Sequence, residues 1–319
     1  MLKPLSRLAI FTLLAASMAG CGLNQPIASL GTSGYSADSY NGGLRYALGA
    51  RLTGRKVIDN EANYQVSDSL PETVDLRSQC SPVANQGRLG ACTAFAIVKG
   101  LDEFLANKAG NPTELSPAFL YYEERKADGN TDMSADTGAL ISTGMQVLEQ
   151  MGTCPESDDP YISAADQQDP QKIKDFLATP PSDQAVQDAI AFEIPGAHSF
   201  FDTSAPSSKR LKPVPLSTLT DIRTTLAGGM PVVAGIMVYQ SMESQAVAQT
   251  GMVPMPTSGD KLLGGHAILL VGYDETRQLF IVRNSWGSSW GDGGYFYLPY
   301  QYVAKGYMQD AWTADITSN

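Results

Sequence analysis

Asn85-Gln86-Gly87-Arg88-Leu89-Gly90-Ala91-Cys92-Thr93-Ala94-Phe95-Ala96 is a glycine-rich turn that delivers a thiol to the first turn of a helix. Beyond it, Phe95, Val98, Leu101, Phe104 and Leu105 recur at helical spacing, so a helix is expected over 92–108 with Gly110 as its stop. A helix N-terminus carries partial positive charge, which favours thiolate over thiol. Gln86, six residues upstream, offers a side-chain amide that could donate to the oxyanion formed when the thiol attacks a carbonyl. A nucleophile of this kind also needs a base near it in space.

Working outward, Ser116-Pro117 opens a second helix through Phe119, Leu120 and Tyr121, with serine as N-cap and proline at the first helical position. A third is expected near 137–151, where Ala139, Gly144, Val147, Leu148 and Met151 suit close helix packing. Residues 155–215 carry several prolines and many Ser and Asp residues. They read as loop-rich, with one helix near 183–192 and an insertion near 196–213. His198 falls in that insertion and reads as a solvated loop histidine. A helix over 216–227 ends at Gly228-Gly229. The apolar, β-branched run 231–239 reads as a buried strand. Three more strands follow at 266–273, 279–284 and 294–298, the first two joined as a hairpin. Helices come early and strands late, which predicts an α+β fold.

The chain has 319 residues, 43% hydrophobic, 17% charged, with net charge −11. That supports one sizeable core, divisible into two lobes. No Lys/Arg run or basic patch is present, which argues against a nucleic-acid partner; the acidity is read as solubility. Lys3 and Arg7 precede an apolar stretch, 8–19, that is too short to span a bilayer. Ser17-Met18-Ala19-Gly20-Cys21 resembles the lipobox of bacterial lipoproteins. That resemblance implies a signal peptide over 1–20, lipidation of Cys21 and a membrane anchor. Gly22, rather than Asp, implies outer-membrane sorting of an exported cell-envelope protein. Residues 21–70 are expected to be a lipidated linker or short pro-segment, rich in Gly, Ser, Tyr and Asn over 31–54. Of the four cysteines, Cys80 and Cys154 remain after Cys21 and Cys92, and an oxidising compartment predicts a disulfide between them. There is no C-x-x-C, and His198 and His266 lie far apart in sequence, so neither a metal site nor a cofactor is expected.

The base is sought among those two histidines. His266 stands in Gly264-Gly265-His266-Ala267, at the head of a predicted strand. Asn284, in Arg283-Asn284-Ser285-Trp286-Gly287, lies at the end of the next. If the two are cross-strand neighbours, the Asn carbonyl fixes the imidazole tautomer and aims the other ring nitrogen at Cys92. Trp286 would then shield that hydrogen bond from water.

These residues resemble those of the papain-like cysteine peptidases. Val74-Asp75-Leu76-Arg77 is similar to the family's mature N-terminus, and Gln86-Gly87 to its oxyanion-hole glutamine. Leu115-Ser116-Pro117-Ala118-Phe119-Leu120-Tyr121 resembles the helix after the active-site helix. Gly264-Gly265-His266-Ala267 with Val271-Gly272-Tyr273 resembles the histidine strand. The most specific likeness is Asn284-Ser285-Trp286-Gly287-Ser288-Ser289-Trp290-Gly291-Asp292-Gly293-Gly294-Tyr295. His266 and Asn284 follow Cys92 by 174 and 192 positions, longer than the family's usual ~130–150, which fits the insertion. Leu89 stands where relatives carry a disulfide cysteine and Thr93 where they carry an aromatic. No long helical pro-domain is evident in 22–70.

The resemblance implies a two-lobed domain over 71–319. It would have a helical N-terminal lobe, an antiparallel β-sheet C-terminal lobe and an active-site cleft between them. It further implies hydrolysis of protein or peptide substrates through a Cys92–His266–Asn284 triad, with Gln86 as oxyanion donor and a thioester acyl-enzyme. The same residues would serve a thiol transpeptidase or amide acyl transferase, in which an amine replaces water. A silent binding protein on the same fold is the alternative from another class.

Overall fold

The helix at Cys92 forms as the apolar spacing requires. It is built from three consecutive stretches: Cys92–Ala94, Phe95–Asp102 and Glu103–Lys108. The middle stretch is wound as a π-helix, a feature that periodicity alone does not reveal. Ile97, Val98 and Leu101 are fully buried on it. Gly100 lets it approach the sheet, because a Cβ there would stand 3.2 Å from the Leu269 side chain. The Cys92 helix is thereby pressed against the strand that carries His266.

The computed structural model describes residues 46–53, 69–201 and 216–315, all within the unit Asp38–Asn319. The expected signal peptide, Cys21 with its lipid, most of 21–70 and the tip of the insertion lie outside the described residues.

The strands are β1 (Thr73–Asp75), β2 (Ala197–Ser199), β3 (Val232–Tyr239), β4 (Leu262–Asp274), β5 (Leu279–Arg283), β6 (Tyr295–Pro299) and β7 (Met308–Ala314). They form one antiparallel sheet in the order β2-β7-β3-β4-β5-β6, with β1 on β4. The predicted hairpin is β4–β5, with Leu269 opposite Arg283 and Asp274 opposite Leu279. β4 is longer than expected, since it begins at Leu262, ahead of the two glycines. The helix Leu216–Ala227 lays Leu219, Ile222 and Leu226 into the core.

The other lobe is helical. Ser116 caps Pro117–Ala127 by accepting from the Phe119 N–H, as the Ser-Pro signal predicts. Ile141–Met151 starts later than the sequence suggests and ends at Gly152, which has φ 71°. The stretch read as loop-rich holds two helices. Asp183–Ala189 was expected. Pro170–Ala178 was not, although Asp169 caps it in the same way that Ser116 caps its helix. The α+β, papain-like two-lobed architecture is the one present.

Two expectations are corrected. His198 is exposed but lies in β2 opposite Thr313, not in a loop. Cys80 and Cys154 are free thiols. Cys80 donates to the Leu76 carbonyl and sits beside Arg283 and Tyr295. Cys154 is packed with Phe119, Ala185 and Ala189 in a separate apolar cluster. Cysteine counting pairs them; the fold gives each its own apolar or hydrogen-bonded niche.

Candidate active site

Cys92 is the first residue of its helix and is completely buried. Its sulfur accepts from the N–H of Ala267 at 3.4 Å, and Ala267 follows His266 on β4. The His266 Nε2 lies 2.8 Å from Asn284 Oδ1. An amide oxygen can only accept, so Nε2 carries the proton and Nδ1 is the basic nitrogen. That Nδ1 is buried without a hydrogen-bond partner.

His266 and Asn284 are not partners in the strand ladder. Within the ladder His266 faces Ile236 on β3, while β5 ends at Arg283. The contact is made by the chain as it leaves β5. The Ser285 N–H donates to the same Asn284 oxygen at 2.8 Å and holds the amide in place. Trp286 stacks on the imidazole, with ring centroids 4.6 Å apart and planes 25° apart, and covers that bond.

Gln86 is fully buried. Its Nε2 donates to the Leu89 carbonyl at 2.8 Å and to the Ala47 carbonyl at 3.3 Å. Its Oε1 accepts from the Ser285 hydroxyl at 2.5 Å. One N–H is thus held internally, and the other is directed at a carbonyl oxygen that belongs to a different segment. The Ser285 contact spans 199 positions, and no local pattern in the sequence marks it.

A second buried group also escaped sequence reasoning. Thr93, the residue after Cys92, donates to Glu124 Oε1 at 2.5 Å. Burial pushes the Glu124 carboxyl up to about 8, against the pull of the Thr93 hydrogen bond and of Arg125 and Arg51.

The site is covered by the chain's own residues 46–53. Tyr46 stacks on Trp286 with centroids 4.3 Å apart. Gly49 accepts from the Ala139 N–H at 3.0 Å, and Arg51 donates to the Ala139 carbonyl at 2.9 Å. Ala50 is therefore paired with Ala139 in a parallel bridge. Backbone groups of Gly49 and Ala50 reach the Cys92 thiol. The approach is so close that a Cβ on Gly49 would stand 1.6 Å from the Gly90 oxygen, and one on Gly138 would stand 1.9 Å from the Gly49 oxygen. A segment that the sequence presents as a linker here lies over the thiol, tied down by a single bridge at Ala50. With the cleft covered, burial pushes the Cys92 thiol up to about 11 and His266 down to about 4. Both favour the neutral pair.

A buried thiol at a helix start, a histidine bonded to an asparagine and a glutamine amide bonded to a carbonyl thus come together in a two-lobed fold. Residues 70–314 match the profile of the papain family cysteine proteases, and the chain belongs to that family. It is 34% identical over 260 residues to a peptidase C1-like protein of Acanthamoeba polyphaga mimivirus, covering 81% of this chain and 75% of the viral one. Mouse cathepsin K is 25% identical, with 78% of this chain and 67% of that one covered. Among solved structures, xylellain, a cysteine protease from Xylella fastidiosa, superposes with a TM-score of 0.62 at 30% identity. That match covers 86% of this chain and all of xylellain. The chain is a cysteine peptidase, a hydrolase.

Proposed function

We propose that the chain hydrolyses peptide bonds through a Cys92–His266–Asn284 triad and that residues 46–53 hold it latent. The observation that carries the reading is Gln86, whose second N–H already donates to a peptide carbonyl of that segment, Ala47. When the segment leaves, water returns and the burial that keeps both groups neutral is relieved. The proton then passes from Cys92 to His266 Nδ1, favoured by the helix N-terminus. The thiolate attacks the substrate carbonyl carbon, and the oxyanion accepts from Gln86 Nε2–H and the Cys92 N–H, which has no intrahelical partner. Collapse breaks the C–N bond as His266 gives its proton to the leaving amine. The resulting thioester is cleaved by water that His266 deprotonates, which frees the thiolate.

The leaving amine must lie on the His266 and Trp286 side, so the acyl part of a substrate runs along Ala139. Residues 46–53 run from Trp286 towards Ala139, the opposite polarity. This supports their reading as a pro-segment that fills the cleft without presenting a cleavable bond. Lys3, Arg7, the apolar stretch 8–19 and Cys21 support export and a lipid-anchored cell-envelope location with outer-membrane sorting.

Acid-quenched mass spectrometry with a peptide ester tests the mechanism. A thioester-linked acyl group on Cys92 is expected, and Cys92→Ala should lose about three orders of magnitude or more in turnover. Turnover at the wild-type rate in that variant would remove the thiol from the reaction.

A further inference from the structure

We propose that Asp128 selects substrates with a basic side chain on the acyl side of the scissile bond, at the place that Arg51 now fills. The inference rests on the peptidase reading above and adds the substrate class. Asp128 ends the helix Pro117–Ala127. Its side chain is 4% exposed, yet it carries a salt bridge to Arg51, whose side chain is 38% exposed. One carboxylate oxygen accepts from the Leu140 N–H at 3.1 Å and the other from the Thr143 hydroxyl at 2.6 Å. These neutral donors fix the carboxylate without compensating its charge. The cation paired with it among the described residues comes from the segment in the cleft.

Arg51 follows the residue that pairs with Ala139. Its guanidinium therefore samples what a side chain meets when a peptide is laid on that edge. Departure of the segment leaves a carboxylate fixed by Leu140 and Thr143, without its cation, facing an open cleft. A buried charge stripped of its partner is costly, so a ligand that restores the pair gains what the others forgo. A guanidinium or ammonium on the substrate does so; an isosteric neutral amide does not.

Two measurements test this. The first is binding, read on the 319-residue chain carrying Cys92→Ala, Arg51→Ala and Gly49→Ala, the last to uncover the cleft. The probes are peptides identical but for Arg, Lys, Gln or Glu scanned over the three positions before the scissile bond. The expected result is that Arg and Lys peptides bind about ten- to a hundred-fold more tightly than Gln peptides at one position. Adding Asp128→Asn, which keeps an acceptor for Leu140 or Thr143, should bring that ratio close to one. Equal affinity for Arg and Gln peptides at all three positions before Asp128 is altered would overturn the proposal, whether or not the Asn variant folds. So would a preference that survives Asp128→Asn. The second measurement is the Arg-to-Gln ratio of kcat/KM on the chain carrying Gly49→Ala and Arg51→Ala with Cys92 intact. It should follow the binding ratio, and a ratio near one would overturn the selection. Binding preference without cleavage of any peptide would contradict the peptidase reading and leave the Asp128 site standing.

Discussion

Gln86 shows how much one side chain is asked to do. One N–H is bonded to Leu89, its oxygen is held by Ser285, and the second N–H donates to the Ala47 carbonyl. In the mechanism proposed above the amide is therefore preorganised, and no reorganisation is required when charge develops on the substrate oxygen. Gln86→Ala should lower kcat by about 10²–10³-fold, since removal of one oxyanion donor costs roughly 3–4 kcal/mol in the barrier. Steady-state kinetics on the uncovered enzyme checks this, and turnover close to wild type would take Gln86 out of the mechanism. That Cys92, His266, Asn284 and Trp286 come together was legible in the sequence, because each stands in a short run with turn glycines or a strand pattern around it. Ser285, Glu124 and Asp128 were not. Their roles arise from contacts to Gln86, Thr93 and Arg51, at separations of 199, 31 and 77 positions, which no local pattern encodes.

Among the elements, the segment 46–53 departs furthest from its sequence reading. Its small residues and weak periodicity look like a linker's, yet those properties are what a segment needs to lie flush between Gly90 and Ala139. Any side chain at position 49 collides with the Gly90 oxygen, 1.6 Å from the Cβ position. Gly49→Ala should therefore expel the segment. Overpacking of this kind costs roughly 1–3 kcal/mol, so the rate at which a thiol reagent reaches Cys92 should rise about ten-fold or more. An unchanged rate would mean that the segment does not gate the thiol. The helix Pro170–Ala178 was missed because its proline was read as a breaker. Behind a capping Asp169, a proline at the first helical position starts a helix instead. The Cys80–Cys154 pairing failed for a different reason. Counting says which thiols are left over, and packing decides whether they meet.

At the scale of the whole molecule, buried ionisable groups set how stability follows pH. Glu124 is raised to about 8, so the fold favours its neutral form. The unfolded chain releases that proton near the ordinary carboxylate value, so stability is lost as pH climbs from there to about 8. Asp102, Glu156 and Asp159 are shifted in the same direction by burial, Asp159 to about 6. His266, lowered to about 4, acts oppositely, and its contribution is lost as pH falls from about 6.5 towards 4. Between pH 6.5 and 8 the carboxyls act without that offset. The thermal midpoint should fall over that window, and Glu124→Gln, which mimics the protonated acid, should flatten the decline. An equally steep decline in the variant would contradict the assignment. The account as a whole depends on Cys92 as the reactive thiol of a covered cleft. The most direct test is to map by mass spectrometry where a peptidyl vinyl sulfone attaches to the Gly49→Ala chain, with and without Cys92→Ala. The account predicts one adduct, on Cys92, absent from the double variant, with Cys80 and Cys154 unmodified. The same adduct on both chains would contradict it.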